Sequence, residues 1–175
     1  MRRYRGGLSF RRQKRKKNLK MTLNANEKLK KQESGEIQLT DSGISGICTF
    51  NLSGEIAKGL YEEKKEIVEI NFVPYLPINT TQDFINWLDK RNNRLENRTI
   101  DQLFDGFINY KLVFLFLKLA NINAKTKWND LNYKQKEYFV NLFMKHNFEV
   151  VDTNSFDRSQ VCSGGISISE INLET

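Results

Sequence analysis

Ser159-Gln160-Val161-Cys162-Ser163-Gly164-Gly165-Ile166-Ser167-Ile168-Ser169-Glu170-Ile171-Asn172 is a strand-like run broken by two glycines. Paired glycines between β-type residues mark a tight turn, or a backbone that something approaches closely. The chain stops three residues later, and we expect it to be a piece of something longer. The run decides the fold because it restores a period-two pattern after a long helical stretch. Strands, helices, strands is the order that results.

The strand signal also stands at the other end of the chain. Leu19, Met21 and Leu23 alternate with Lys20 and Thr22, the pattern of a half-buried strand. Asn24–Glu27 supplies turn residues, and a weak basic strand follows at Lys28–Gln32. Glu36–Thr40 alternates with Ile37 and Leu39 inward, and Asp41–Gly46 carries turn chemistry. A short helix is expected over Phe50–Leu60, ending near Gly59. Glu66–Val73 is the clearest strand, with Val68, Ile70 and Phe72 on one face and Pro74 and Pro77 ending it.

Between the two strand regions the period becomes helical. Thr80 or Thr81 caps a helix carrying Phe84, Ile85 and Leu88. Thr99 with Gln102, and Asn132 with Gln135, read as capping boxes. Lys111–Ala120 is apolar nearly all round and is expected at the centre of a small bundle. The last helix places Tyr138, Phe139, Leu142, Phe143 and His146 on one stripe, with His146 in its final turn, where the helix dipole favours an imidazolium. The expected class is α+β: a β-barrel-like subdomain (18–78 and 147–175) interrupted by a helical bundle (79–146) and preceded by a basic, disordered arm (1–17).

The charge belongs to that arm. The net charge is +7, yet residues 1–20 hold ten Lys or Arg and no acid, so the remainder, with 18 basic and 21 acidic residues, is at −3. Residues 2–20 therefore read as a site for nucleic acid or an anionic surface, with Tyr4 and Phe10 as stacking partners, or as a solvated terminus. No apolar run is long enough to span a membrane, and Met1–Lys20 has no signal-peptide core. With two cysteines and one histidine, zinc spacings and a disulfide framework are both excluded, and a cytoplasmic setting is expected.

Candidate chemistry is sparse. Gly43-Ile44-Ser45-Gly46 is a GxxG, but a strand precedes it and its inner residues are Ile and Ser, which argues against a KH-type RNA loop. It lacks the Gly-Lys-Ser/Thr ending of a P-loop. As a loop of small residues opening a helix, it is suited to present backbone N–H groups to a polar or anionic cofactor, or to serve as an ordinary turn. Cys48 and Cys162 lie among small and apolar residues, with no basic neighbour to activate a thiolate, and read as packing. No pair of acids stands out as catalytic, so the catalytic residues are unassigned.

Two stretches resemble a known family. Gly35-Glu36-Ile37-Gln38-Leu39-Thr40-Asp41-Ser42-Gly43-Ile44-Ser45-Gly46 looks like the "GELLFTxxGISGP" segment of the BaiN-like, aminoacetone-oxidase-like NAD(P)/FAD-dependent flavoproteins. Ser159–Asn172 looks like that family's "AQVTAGGVSxxEIN". The likeness covers about residues 18–175. Cys162-Ser163 stands where Thr-Ala is usual, and Ile47-Cys48 where Pro and a small residue are usual.

The resemblance implies that this region is the insert of a two-part FAD-binding Rossmann-like domain. It would be a truncated product, or one half of a split one with a separately encoded Rossmann partner. The chain itself holds no Gly-x-Gly-x-x-Gly after a strand, the element that seats a dinucleotide pyrophosphate. By itself it should bind FAD weakly or not at all and be inactive. Its role would be to cover the flavin and shape the substrate side. The residues expected to approach the cofactor are Gly43, Ile44, Ser45 and Gly46, with Ser163, Gly164 and Gly165 at the return to the FAD domain. The rival expectation is a small basic nucleic-acid-binding protein acting through its N-terminal arm.

Overall fold

The computed structural model describes residues 18–25, 28–40, 43–73, 76 and 78–153. The basic arm and the Ser159–Asn172 run lie outside the described residues, as do Pro74, Pro77 and Cys162.

The first two strands, β1 (Asn18–Ala25) and β2 (Lys28–Glu36), form an antiparallel hairpin with a register shift between Leu23 and Asn24. β2 is far longer than the weak strand expected at Lys28–Gln32. Its edge carries Lys and Glu, residues that discourage pairing with another chain. At Ile37 the chain leaves the sheet, so Glu36–Thr40 is not one strand. Instead β3 (Gln38–Thr40) pairs with β4 (Gly43–Ser45) in a separate two-stranded ribbon. What reads as a turn over Asp41–Gly46 therefore contains a strand.

Helix α1 (Ile47–Tyr61) starts three residues before the expected Phe50 and packs against β1, β2 and β5. β5 (Glu66–Asn71) and β6 (His146–Glu149) complete a four-stranded antiparallel sheet of order β2-β1-β5-β6. Met21 and Leu23 of β1, Val68 and Ile70 of β5, and Cys48, Leu52 and Ile56 of α1 make the interface between sheet and helix. Alternation over Glu66–Phe72 is borne out, with one addition: Glu66 itself lies on the buried face at 0% exposure.

The helical part holds α2 (Thr81–Arg94), α3 (Ile100–Leu103), α4 (Tyr110–Leu119), a 3-10 turn (Trp128–Asp130) and α5 (Tyr133–Met144). Two of its starts are closed by reciprocal capping boxes. Thr80 accepts from the Asp83 N–H while Asp83 accepts from the Thr80 N–H, and Asn132 and Gln135 do the same for α5. Thr99 does not follow the pattern. Its hydroxyl donates to Asp101 at 2.5 Å and no side-chain cap forms, so α3 is a single turn.

The aromatic rings concentrate here. Phe143 stacks on Phe104 (5.1 Å) and meets Phe116 (4.6 Å), Phe139 (5.2 Å) and Phe84 (6.4 Å) edge-on. Such pairs add about 0.5–1.5 kcal/mol each beyond the area they bury. Trp128 is also fully buried, its indole N–H donating to Asp89 at 2.6 Å, with the Lys136 ammonium 4.9 Å above the ring and 3.3 Å from the same carboxylate. α4 is not apolar-buried all round: Leu112, Val113, Phe116 and Leu117 face inward, while Tyr110 and Phe114 are exposed. Tyr138 is exposed as well.

His146 departs most from expectation. α5 stops at Met144, and His146 opens β6 opposite Ile70. No helix dipole acts on it in the way a final-turn position would require. The α+β class stands, and among the described residues the sheet is open, with β2 and β6 as its edges.

Candidate functional site

The corner where β3 and β4 hand over to α1 brings Gly43, Ile44, Ser45 and Gly46 together. Gln38 pairs with Ser45, Leu39 with Ile44 and Thr40 with Gly43, and the Thr40 hydroxyl donates to the Gly43 carbonyl at 3.1 Å. Ile44 is half-buried and packs against the core, which fixes the ribbon over the start of α1. Gly46 is the N-cap, with φ of 109° and no side-chain cap.

The two glycines answer to different demands. A Cβ at Gly46 would lie 2.5 Å from the Glu36 carbonyl oxygen and 3.2 Å from the Ile37 Cα. Close approach there is made by the chain's own backbone, so packing alone requires a glycine at Gly46. Gly43, with φ of 152°, is exposed, and nothing lies within 4 Å of where its Cβ would be. Its backbone is open to a flat or polar group. Ile47, the first residue of α1, is 58% exposed beside it.

This corner has little acid–base capacity. Cys48 is buried, and a Cβ at Gly35 would meet its sulfur at 3.2 Å. Burial pushes its thiol up, and the Glu33 carboxylate adds to that, which keeps it protonated and a poor nucleophile. The packing reading of Cys48 is borne out. What remains are backbone N–H and C=O groups and the positive end of a four-turn helix. Such a set is able to orient and cover a bound group. Gly43 leaves its backbone without side-chain cover, whereas at Gly46 the chain's own backbone fills the space a side chain would take. Ser163, Gly164 and Gly165 lie outside the described residues.

Sequence reasoning missed the other polar centre. The buried Glu66 carboxylate accepts from Lys30 at 2.7 Å, while its second oxygen has no partner among the described residues. A Cβ at Gly59 would overlap that carboxylate, so the glycine near the end of α1 makes room for it. The signal was present: Glu66 is in phase with Val68 and Ile70. Among the described residues no cluster of His, Cys, Asp or Glu is placed to hold a metal, and no helix is long and apolar enough to cross a membrane.

Against this geometry stand two comparisons. A family model described as "HI0933-like protein barrel and H2TH domain" matches residues 7–161. The 3-dehydro-bile acid delta(4,6)-reductase of Clostridium scindens is 33% identical over 145 residues, which is 82% of this chain and 34% of that protein. The chain thus spans about a third of the length of the curated relative it matches. The match includes the Gly43–Gly46 corner and ends two residues before Ser163. With most of its length matched by that model and by a relative of this identity, the chain belongs to the HI0933-like family of flavoproteins that its two motifs resemble.

Proposed function

We propose that this chain is the substrate-side, flavin-covering region of an FAD-dependent oxidoreductase, and that it works only when assembled with a dinucleotide-binding portion. The single observation that carries the reading is Gly43: it is exposed at the start of β4, paired with Thr40 of β3, and nothing lies within 4 Å of where a Cβ would be. The family match and the reductase name of the relative support it. When bound, FAD supplies the electron transfer, reduced in its turn by a nicotinamide nucleotide or by substrate. This chain's own residues position and exclude. Gly43 and Ser45 line one side of the flavin with backbone groups, and Ile47 keeps water from it. Cys48 stays protonated and inert beneath. Ser163, Gly164 and Gly165, at the return to the FAD domain, complete the set that approaches the cofactor.

The test is a chimera in which residues 18–175 replace the matching segment of the Clostridium scindens relative. We expect the chimera to retain flavin through gel filtration, and the isolated chain to elute colourless. Gly43→Val in the chimera should lower flavin affinity at least tenfold while leaving the circular dichroism of the fold unchanged. Retention of flavin by the isolated chain would overturn the dependence on a partner. Unchanged affinity in the Gly43→Val chimera would overturn the assignment of the corner.

A further inference from the structure

The helical part returns to the sheet through a short passage, Met144-Lys145-His146, where α5 ends and β6 begins. The ring of His146 touches both sides of that seam. Its centroid is 4.8 Å from Phe148 on its own strand, 5.0 Å from Phe116 of α4 and 6.5 Å from Phe72 at the end of β5. Beside it the Phe72 N–H donates to the Phe143 carbonyl at 2.7 Å, a backbone bond that ties the sheet to α5. Among the described residues no hydrogen bond or ion pair holds the imidazole.

We propose that this seam is a pH-responsive joint: protonation of His146 expels its ring from the Phe72–Phe116–Phe148 pocket and loosens the helical part from the sheet. The cause is the composition of the pocket. His146 is half-buried. The three phenyl rings that cover it take away part of the water an imidazolium needs and supply no acceptor in return, although their faces give back a little through cation–π attraction. Burial accordingly holds the ring below the usual histidine range.

Among the described residues no neighbouring charge reverses this. On β5, Glu66 shares the face of His146 two pairs further along but is held by Lys30, and Glu69 lies opposite Asn147 on the other face. Glu149 of β6 also faces away and lies 3.9 Å from Lys65. α4 carries Lys111 and Lys118, α5 carries Lys134, Lys136 and Glu137, and Lys145 follows α5; among the described residues none makes an ion pair with the imidazole.

The direction follows from proton counting. Because the folded-state value is lowered, the unfolded or undocked state binds more protons once pH falls below about 6.5. The docked state is therefore fully favoured above that pH. It weakens by up to about tenfold in its equilibrium constant per pH unit as pH falls toward the folded value. Histidine is the side chain suited to this range.

The chain has a single histidine, so one imidazole resonance reports the titration directly. The experiment measures that resonance by NMR across pH 4.5–8, with amide hydrogen exchange at the Phe72 and Ile70 N–H groups at pH 5.0 and 7.5, in wild type, His146→Phe and His146→Gln. We expect the imidazole to titrate below 6.5. At the lower pH, Phe72 protection corrected for intrinsic exchange should fall by more than about twofold in wild type, and by less than that in either variant that folds. An imidazole titrating at or above 6.5 would overturn the proposal. So would an equal loss of protection in a folded variant.

Discussion

The two halves of this molecule hold their helix starts in opposite ways. In the helical part, α2 and α5 close their own first turns with side chains, through Thr80–Asp83 and Asn132–Gln135. At the β3–β4 corner, α1 starts on Gly46, with no side-chain cap, and the surrounding backbone determines its geometry. A helix capped by its own residues depends on short-range sequence. A helix begun on a crowded glycine depends on what packs over it, and its end stays open. The difference teaches which helix starts are fixed by neighbours along the chain and which by distant backbone, and the uncapped corner is also where Gly43 leaves its backbone exposed.

Substitutions that strike each half separately will sharpen the contrast. Removing the central ring of the helical part should cost most: Phe143→Ala is expected to lose about 3–5 kcal/mol, the usual cost of deleting a buried aromatic, measured by urea unfolding. A loss below 1.5 kcal/mol would mean that the rings around Phe143 repack freely. At the corner, Gly46→Ala combines a positive φ with a Cβ against the Glu36 carbonyl, and should cost about 3 kcal/mol. A nearly neutral Gly46→Ala would erase the distinction drawn here, because the corner would then not be backbone-crowded.

Smaller effects test the polar details. Lys30→Met leaves the buried Glu66 without its partner and should destabilise by about 2 kcal/mol, below the 3–5 kcal/mol of a wholly buried pair because Lys30 is partly exposed. Thr80→Ala and Asn132→Ala should each cost about 1 kcal/mol, the usual value of an N-cap, with helicity lost from α2 and α5 and not from α1. The smallest signal belongs to Asp83. The Thr80 hydroxyl and backbone N–H bonds hold its carboxyl below the usual aspartate range. Its contribution is thus present above about pH 3.9 and lost as pH falls through the lower folded value. Asp83→Asn should flatten the stability profile there; an unchanged acid limb would show that the capping box does not depend on the carboxylate.

Much of the helical part was legible because its information is local. Thr80, Asn132 and the Phe84–Ile85–Leu88 and Phe139–Phe143 spacings act within one or two turns, and each element formed close to its expected bounds. Thr99 misled because Asp101, two residues on, competes for its hydroxyl, and a three-residue spacing does not register that. Trp128 gave no periodic signal, since a 3-10 turn places it in the core through Asp89, 39 residues away. His146 continues the helical stripe of Phe139, Leu142 and Phe143, so spacing carried it into the helix. Pairing with Ile70 took it into a strand instead.

Sequence by itself determined the α+β order, the Asn132–Gln135 capping box and the cap at Thr80, the buried face of β5 and the family through the Gly35–Gly46 and Ser159–Asn172 stretches. Those are properties of neighbours along the chain or of motifs that survive as strings. Tertiary structure decided the order β2-β1-β5-β6, the burial of Glu66 against Gly59, the aromatic pocket of His146 and the different uses of Gly43 and Gly46. Each depends on segments far apart in the chain meeting at atomic distance. A residue's string of neighbours carries no record of which backbone will press against it.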